Sequence, residues 1–124
     1  GSFDRVLLDA PCTGLGALRR RPEARWRRSA GDPAELQPLQ IRLLRAAIDA
    51  VRIGGVVAYV TCSPHPVETR EVVATVCEGR GDVVRIDARP HLPGVPHLGD
   101  GPDVTLWPHR HGTDAMYLTL LRRR

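Results

Sequence analysis

Two short, nearly continuous apolar runs separated by a helical stripe constrain the fold more than any other feature of this chain. Phe3 to Asp9 (FDRVLLD) and Val56 to Val60 (VVAYV) lack the polar–apolar alternation of a half-solvated strand. They read as strands buried on both faces, as parallel sheets require. Between them, Asp32-Pro33-Ala34-Glu35 is a helix start, with Asp at the cap, Pro at the first position and Glu at the third. Pro38 is expected to restart that helix. Its stripe of Leu39, Leu43, Ala46, Ala47 and Ala50 recurs at helical spacing and runs to Val51, and Gly54-Gly55 stops it.

A second helix is expected to begin near Pro66 or Val67, with Glu68 and Glu71 favourably placed in its first turn. Its stripe of Val72, Val73, Val76 and Cys77 ends at Gly79. Val83 to Asp87 reads as a third strand, Pro90 to Gly112 as a long Pro- and Gly-rich loop, and Ala115 to Leu121 as a last strand. Arg122, Arg123 and Arg124 trail it as a solvated tail. This order is that of an α/β fold with about four strands in a mostly parallel sheet and flanking helices. Right-handed crossovers place sequential strands side by side, so the first two should be neighbours. Functional groups of such sheets collect beyond the carboxyl ends of the strands. Asp9 and Cys12 follow one such end, and Cys62 follows the next.

Three cysteines, Cys12, Cys62 and Cys77, are an odd number and do not suggest a disulfide framework. Reduced thiols in a cytoplasmic protein are the simpler account, and Cys77, on a helix stripe, reads as a small core residue. No apolar run approaches the roughly 18 residues of a membrane span. The net charge is +4, and the basic residues are all arginine, 18 of them. Arginine suits phosphate and base recognition, although a genome-wide compositional bias would give the same count. Six of the arginines, Arg19, Arg20, Arg21, Arg25, Arg27 and Arg28, fall in one stretch opposed only by Glu23, a local excess larger than that of the whole chain. Trp26, among them, either stacks on a base or anchors the loop to the core. His109 and His111 could suggest a metal, but no Cys or His partners stand at zinc-finger spacing, and no metal is expected.

A thiolate is a strong nucleophile, but free cysteine has a pKa of about 8.5 and needs a favourable site to ionise. On spacing alone, Cys12 and Cys62 are more ordinarily read as two buried structural residues. The words around them change that reading. DAPCTGLG at 9–16 and YVTCSPHPVE at 59–68 resemble the two signature motifs of the Sun/Fmu (RsmB-like) family of RNA 5-methylcytosine methyltransferases. RRRPEARWRR at 19–28 resembles that family's basic segment, and PHRHGTD at 108–114 its final motif.

The resemblance implies a partial Rossmann-like, S-adenosylmethionine-dependent methyltransferase fold, and a parent enzyme that methylates carbon 5 of cytosine in RNA, with ribosomal RNA the expected partner. It implies Cys62 as the thiol that adds to carbon 6 of the ring, Cys12 as the thiol that assists release of product, and Asp9 as the group that holds the ring near its nitrogen 3. Asp9 could equally cap the turn after its strand. The Pro11 carbonyl would accept from the exocyclic amine, and Asp9 and Pro11 would be this chain's contribution to the border of the cofactor. The arginines Arg19, Arg20, Arg21, Arg25 and Arg28 would bind RNA. A DNA cytosine methyltransferase is disfavoured, because there the nucleophile is the cysteine of the Pro-Cys motif and no second T-C-S is required.

The chain departs from the family pattern at Ala115-Met116-Tyr117, where Gly and two aromatics are common. The Gly-rich cofactor loop would lie upstream. Gly1-Ser2 then reads as an expression scar, and 3–124 as the carboxyl-terminal part of the catalytic domain. By itself such a piece should be inactive, and the competing reading is a folded module with at most weak RNA binding. Its first strand would be central in the complete sheet and an edge here, without a protecting lysine or proline, so self-association is expected.

Overall fold

The computed structural model describes residues 1–124. Its strands are β1 (Phe3–Asp9), β2 (Val51–Thr61), β3 (Val83–Ile86), β4 (Val104–Leu106) and β5 (Met116–Arg123); its helices are α1 (Ala24–Arg27), α2 (Asp32–Ala50), α3 (Arg70–Glu78) and α4 (Pro108–His111). The sheet order is β1-β2-β5-β3, with β4 pairing β5 beside β3. β1 and β2 are parallel neighbours joined through α2, as the crossover rule requires.

The expectation of about four strands in a mostly parallel sheet is corrected in two ways. There are five strands, and only the β1–β2 pair is parallel. Because β2, β3 and β4 are each antiparallel to β5, the first four strands all run one way and β5 alone is reversed, wedged among them. A strand reached through a Pro- and Gly-rich connection has no helical crossover to keep it parallel. The extra strand, β4, lies inside the segment expected to be a loop, and its Val104 is buried.

The core fills the space between one face of the sheet and the pair α2–α3. Val57, Tyr59, Tyr117 and Leu121 meet Leu44 and Ile48 of α2 and Val72, Val73 and Val76 of α3. Helix α2 is continuous through Pro38 rather than restarted there. The Ala34 carbonyl lacks its helical donor, but Ala34 is exposed and water can replace it. The buried stripe is Gln40, Leu44, Ala47 and Ile48, one position on from the expected Leu39 and Leu43, and Ala46 is exposed. The displacement arises because a glutamine occupies the inward face. The helix ends at Ala50, one residue before the expected Val51, and the glycine pair lies within the strand that follows. Strand β2 begins at once, and its register to β1 jumps from Val51 opposite Phe3 to Val56 opposite Arg5, with Gly54 at φ +81° in the irregular stretch.

The opposite sheet face carries no helix. Leu7 is 71% exposed there, and Arg5, Val56, Ala58, Ile86, Leu120 and Arg122 line a shallow groove beside it. β1 is therefore not buried on both faces. The arginine tail is likewise corrected. Arg122 and Arg123 belong to β5, and the Arg123 guanidinium donates to the carbonyls of Ile48, Asp49 and Val51 at 3.4, 3.2 and 2.9 Å, closing the carboxyl end of α2. No helix is long and apolar enough to cross a membrane.

Candidate active site

β1 and β2 end side by side, Asp9 opposite Val60, and the Ala10 N–H extends the ladder to the Val60 carbonyl at 2.9 Å. The chain then turns away on both strands. After β1 it runs through Pro11-Cys12-Thr13 into a 3-10 turn at Leu15–Ala17. After β2, the buried Thr61 hydroxyl donates to the Ser63 carbonyl at 2.9 Å, a tight turn with Cys62 at its middle. The two turns lie against each other. The Gly16 N–H donates to the Cys62 carbonyl at 2.8 Å, and the Gly16 carbonyl accepts from Ala115 N–H at 2.9 Å. A Cβ at Gly16 would collide with the Ala115 carbonyl oxygen and come within 2.7 Å of that of Cys62, so only glycine fits.

This arrangement brings Cys12 Sγ to 3.5 Å from Cys62 Sγ. Both thiols open into a cleft of about 390 Å³ whose other walls include Asp9, Pro11, Arg20, Arg21 and Arg28. The Asp9 side chain is exposed at its mouth. Burial raises the Cys12 thiol well above its ordinary range, and the adjacent Cys62 adds to the rise. A thiol held neutral in this way is poorly placed to attack first. The Pro11 carbonyl, expected to face a ligand, already accepts from Gln40 Nε2 at 3.0 Å, which leaves one lone pair for a further donor.

The arginine segment divides. Arg19 Nε donates to Asp114 at 2.8 Å, and Arg20 grips the same carboxylate through Nε and Nη2, the latter at 2.6 Å. Asp114 thus joins Glu23 in opposing the positive stretch, and it docks that stretch onto the start of β5. Arg28 lies 4.0 Å from Asp32. Arg21, Arg25 and Arg27 have no carboxylate within ion-pairing distance. Trp26 does not anchor the loop: it is 81% exposed, with the Arg25 guanidinium 5.1 Å from its ring centre. His111 accepts from Trp107 N–H at 2.9 Å and meets the Pro96 carbonyl through Nε2, and no three His, Cys, Asp or Glu side chains are grouped so as to hold a metal ion.

Two residues beneath the thiols escaped the sequence reading. Glu68, expected only to favour a helix start, is fully buried and accepts from both cysteine turns; Gln40 beside it is buried too. The signal for Glu68 lay in its place inside the second motif. The signal for Gln40 was an amide interrupting an apolar helix face.

The sequence model of the family described as 16S rRNA methyltransferase RsmB/F matches residues 1–122. A candidate methyltransferase of Mycobacterium tuberculosis is 62% identical over 122 residues, 98% of this chain and 26% of that protein. The ribosomal RNA small subunit methyltransferase B of Serratia proteamaculans is 38% identical over 103 residues, 80% of this chain and 24% of that protein. The crystal structure of NSun6 from Pyrococcus horikoshii with SFG superposes with a TM-score of 0.77 at 29% identity, covering 94% of this chain and 29% of that one. The chain spans about a quarter of the length of the curated relatives it matches. A match over nearly every residue, with the paired cysteine turns and the strand order in place, means that this chain belongs to the 16S rRNA methyltransferase RsmB/F family.

Proposed function

We propose that the chain is the carboxyl-terminal part of the catalytic domain of a cytoplasmic, S-adenosylmethionine-dependent methyltransferase that acts on carbon 5 of a cytosine in ribosomal RNA. The observation that carries this reading is the pair of thiols 3.5 Å apart at the carboxyl ends of two neighbouring parallel strands, inside an arginine-walled cleft.

Carbon 5 of cytosine is too weak a nucleophile to be methylated unaided. Addition of the Cys62 sulfur to carbon 6 breaks the 5,6 double bond and places electron density on carbon 5, provided that nitrogen 3 is protonated or hydrogen-bonded. Asp9, exposed at the cleft mouth, is the side chain we assign to this contact, and the second lone pair of the Pro11 carbonyl can receive the exocyclic amine. Once carbon 5 carries its methyl group, loss of the carbon-5 proton to a base re-forms the 5,6 double bond and expels the Cys62 sulfur as a thiolate, with Cys12, in contact with it, assisting the release. The cofactor supplies the methyl group. Of its site, this chain offers the border formed by Asp9 and Pro11. SFG, a cofactor analogue, in the related NSun6 structure supports the cofactor's class.

The arginines around Trp26 suit an RNA strand entering the cleft, with Arg21, Arg25 and Arg27 unpaired and Arg20 and Arg28 at its wall. The 124-residue chain alone should be inactive, because it spans about a quarter of the length of its relatives and one face of its sheet is bare. The test is methyl transfer by the parent enzyme from labelled S-adenosylmethionine to ribosomal RNA, with substrate carrying 5-fluorocytosine as a trap. A stable protein–RNA adduct whose attachment maps to Cys62 supports the reading. Methylation on a base nitrogen or a ribose, with no adduct, would overturn it.

A further inference from the structure

Glu68 is 0% exposed, and a carboxylate so placed is costly unless donors surround it. Four do. Thr13 donates through its backbone N–H at 2.8 Å and its hydroxyl at 2.7 Å, Ser63 through its hydroxyl at 2.5 Å, and Gln40 through Nε2 at 3.2 Å. Thr13 directly follows Cys12, and Ser63 directly follows Cys62. The same Gln40 amide reaches back to the Pro11 carbonyl, and the Tyr59 hydroxyl donates to the Glu68 carbonyl at 2.7 Å from within the core. One side chain therefore ties the turn after β1, the turn after β2 and helix α2 into a single unit. Apart from it, the two cysteine turns meet through the Gly16–Cys62 backbone bond and the contact between the thiols themselves.

We propose that Glu68 is a positioning residue that sets the spacing of Cys12 and Cys62. This rests on the reading of both thiols as reacting groups. Glu68 bonds to neither sulfur, so it acts through Thr13 and Ser63. Its effect should be large for its distance, because misplacing a reacting group by about 1 Å can cost on the order of 100-fold in rate. The requirement is for acceptors of fixed geometry rather than for charge as such. Glutamine could keep its oxygen toward Thr13 N–H and Gln40, and turn its NH₂ toward the Thr13 and Ser63 hydroxyls, which can rotate to accept.

Phenylarsine oxide reads the spacing directly. One arsenic forms two As–S bonds, with release of water, only when two thiols can come into contact. In the 124-residue chain carrying Cys77→Ser, the remaining pair should capture one equivalent. Glu68→Ala should weaken that capture by roughly 10- to 100-fold, while iodoacetamide still alkylates each thiol at a near-normal rate. Glu68→Gln should restore capture to within a few-fold of the starting chain. Should Glu68→Ala fail to fold, Ser63→Ala removes the one donor from the second turn and Thr13→Val one of the two from the first, its backbone N–H staying in place; each should weaken capture several-fold, Ser63→Ala the more, with the thermal melt retained. Undiminished capture in folded Glu68→Ala, or in both single-arm variants, overturns the proposal. In the parent enzyme, the same Glu68→Ala change should lower kcat more than it raises KM. If the parent proves to methylate something other than cytosine carbon 5 while Glu68→Ala still loses arsenical capture, the catalytic reading fails and the positioning role stands.

Discussion

Cys12 and Cys62 are fifty positions apart in sequence, yet their sulfurs are in van der Waals contact at 3.5 Å. Two thiols this close to one bound ring can act in turn, one bonding to carbon and the other assisting the release. In the parent enzyme, Cys62→Ser should abolish methylation, because a serine hydroxyl does not ionise near neutral pH and cannot add to the ring. Cys12→Ser should instead trap a covalent enzyme–RNA adduct, because attack survives and release is impaired. Denaturing gels with substrate RNA check both. An adduct formed by Cys62→Ser but not by Cys12→Ser would reverse the two roles.

The raised Cys12 pKa has a consequence on the alkaline side. Burial favours the neutral thiol in the folded chain, and the neighbouring Cys62 adds to the effect, lifting Cys12 from 9.0 to about 12. A pKa raised by folding gives stability that is intact below the unfolded value and is lost as pH rises through the folded one. The loss should therefore begin above about pH 9 and continue toward about pH 12, with buried Tyr59 and Tyr117, shifted the same way, adding to it. In a chain carrying Cys62→Ser and Cys77→Ser, iodoacetamide alkylation of Cys12 should still be climbing at pH 10, since burial remains after Cys62 is removed. A rate that has levelled off by pH 9 would show that the thiol is not shielded in this way.

Which parts of this were readable in the sequence follows from what each signal depends on. The β1–α2–β2 unit was legible because its pattern is local: a short apolar run, a capped helix and a second run can be arranged in one right-handed way. The pairing of Cys12 with Cys62 followed from that unit. The reversed β5 was not legible, because a seven-residue apolar strand carries no mark of its direction. Nor was the Arg123 cap on α2, since an arginine after a strand reads as solvent-facing until its three carbonyl partners are seen. Gln40 and Glu68 were missed for one shared reason. Each is a polar group whose partners lie on other segments, 28 or more positions away for Gln40 and 55 for the Glu68–Thr13 pair, and periodicity assigns such residues to the surface.

The division of the arginine segment sharpens the RNA prediction. Replacing Arg21, Arg25 and Arg27 with alanine should weaken RNA binding and flatten its salt dependence by about two units of slope, taking roughly 0.7 per phosphate contact on a single strand. Replacing Arg19 and Arg20 instead should act mainly by freeing Asp114 and undocking the segment from β5, with a smaller change in slope. Trp26→Ala should lower the affinity for unpaired RNA roughly 5- to 100-fold, the range of base stacking on one aromatic ring, at unchanged slope. Binding titrations of the parent enzyme at several salt concentrations separate the three. Equal slopes for all variants would reduce the segment to a solvated surface.

The edge position of β1 leads to the last prediction. Its outer side offers a row of unpaired backbone N–H and carbonyl groups from Phe3 to Asp9, and Leu7 stands 71% exposed on the helix-free face. No lysine, proline or covering helix protects this edge. The neighbouring groove of Val56, Ala58, Ile86 and Leu120 adds an apolar surface that water leaves uncovered at a cost. The isolated 124-residue chain should therefore self-associate, by pairing β1 edge to edge or by laying one bare face on another. Leu7→Lys should weaken the association by about tenfold, since removing one buried leucine is worth roughly 1.5 kcal/mol or more and the lysine adds a charge at the seam. Sedimentation velocity at several concentrations decides the matter: a chain that stays monomeric throughout, or a Leu7→Lys variant that associates as strongly as the starting chain, would show that this edge and face are not what holds copies together.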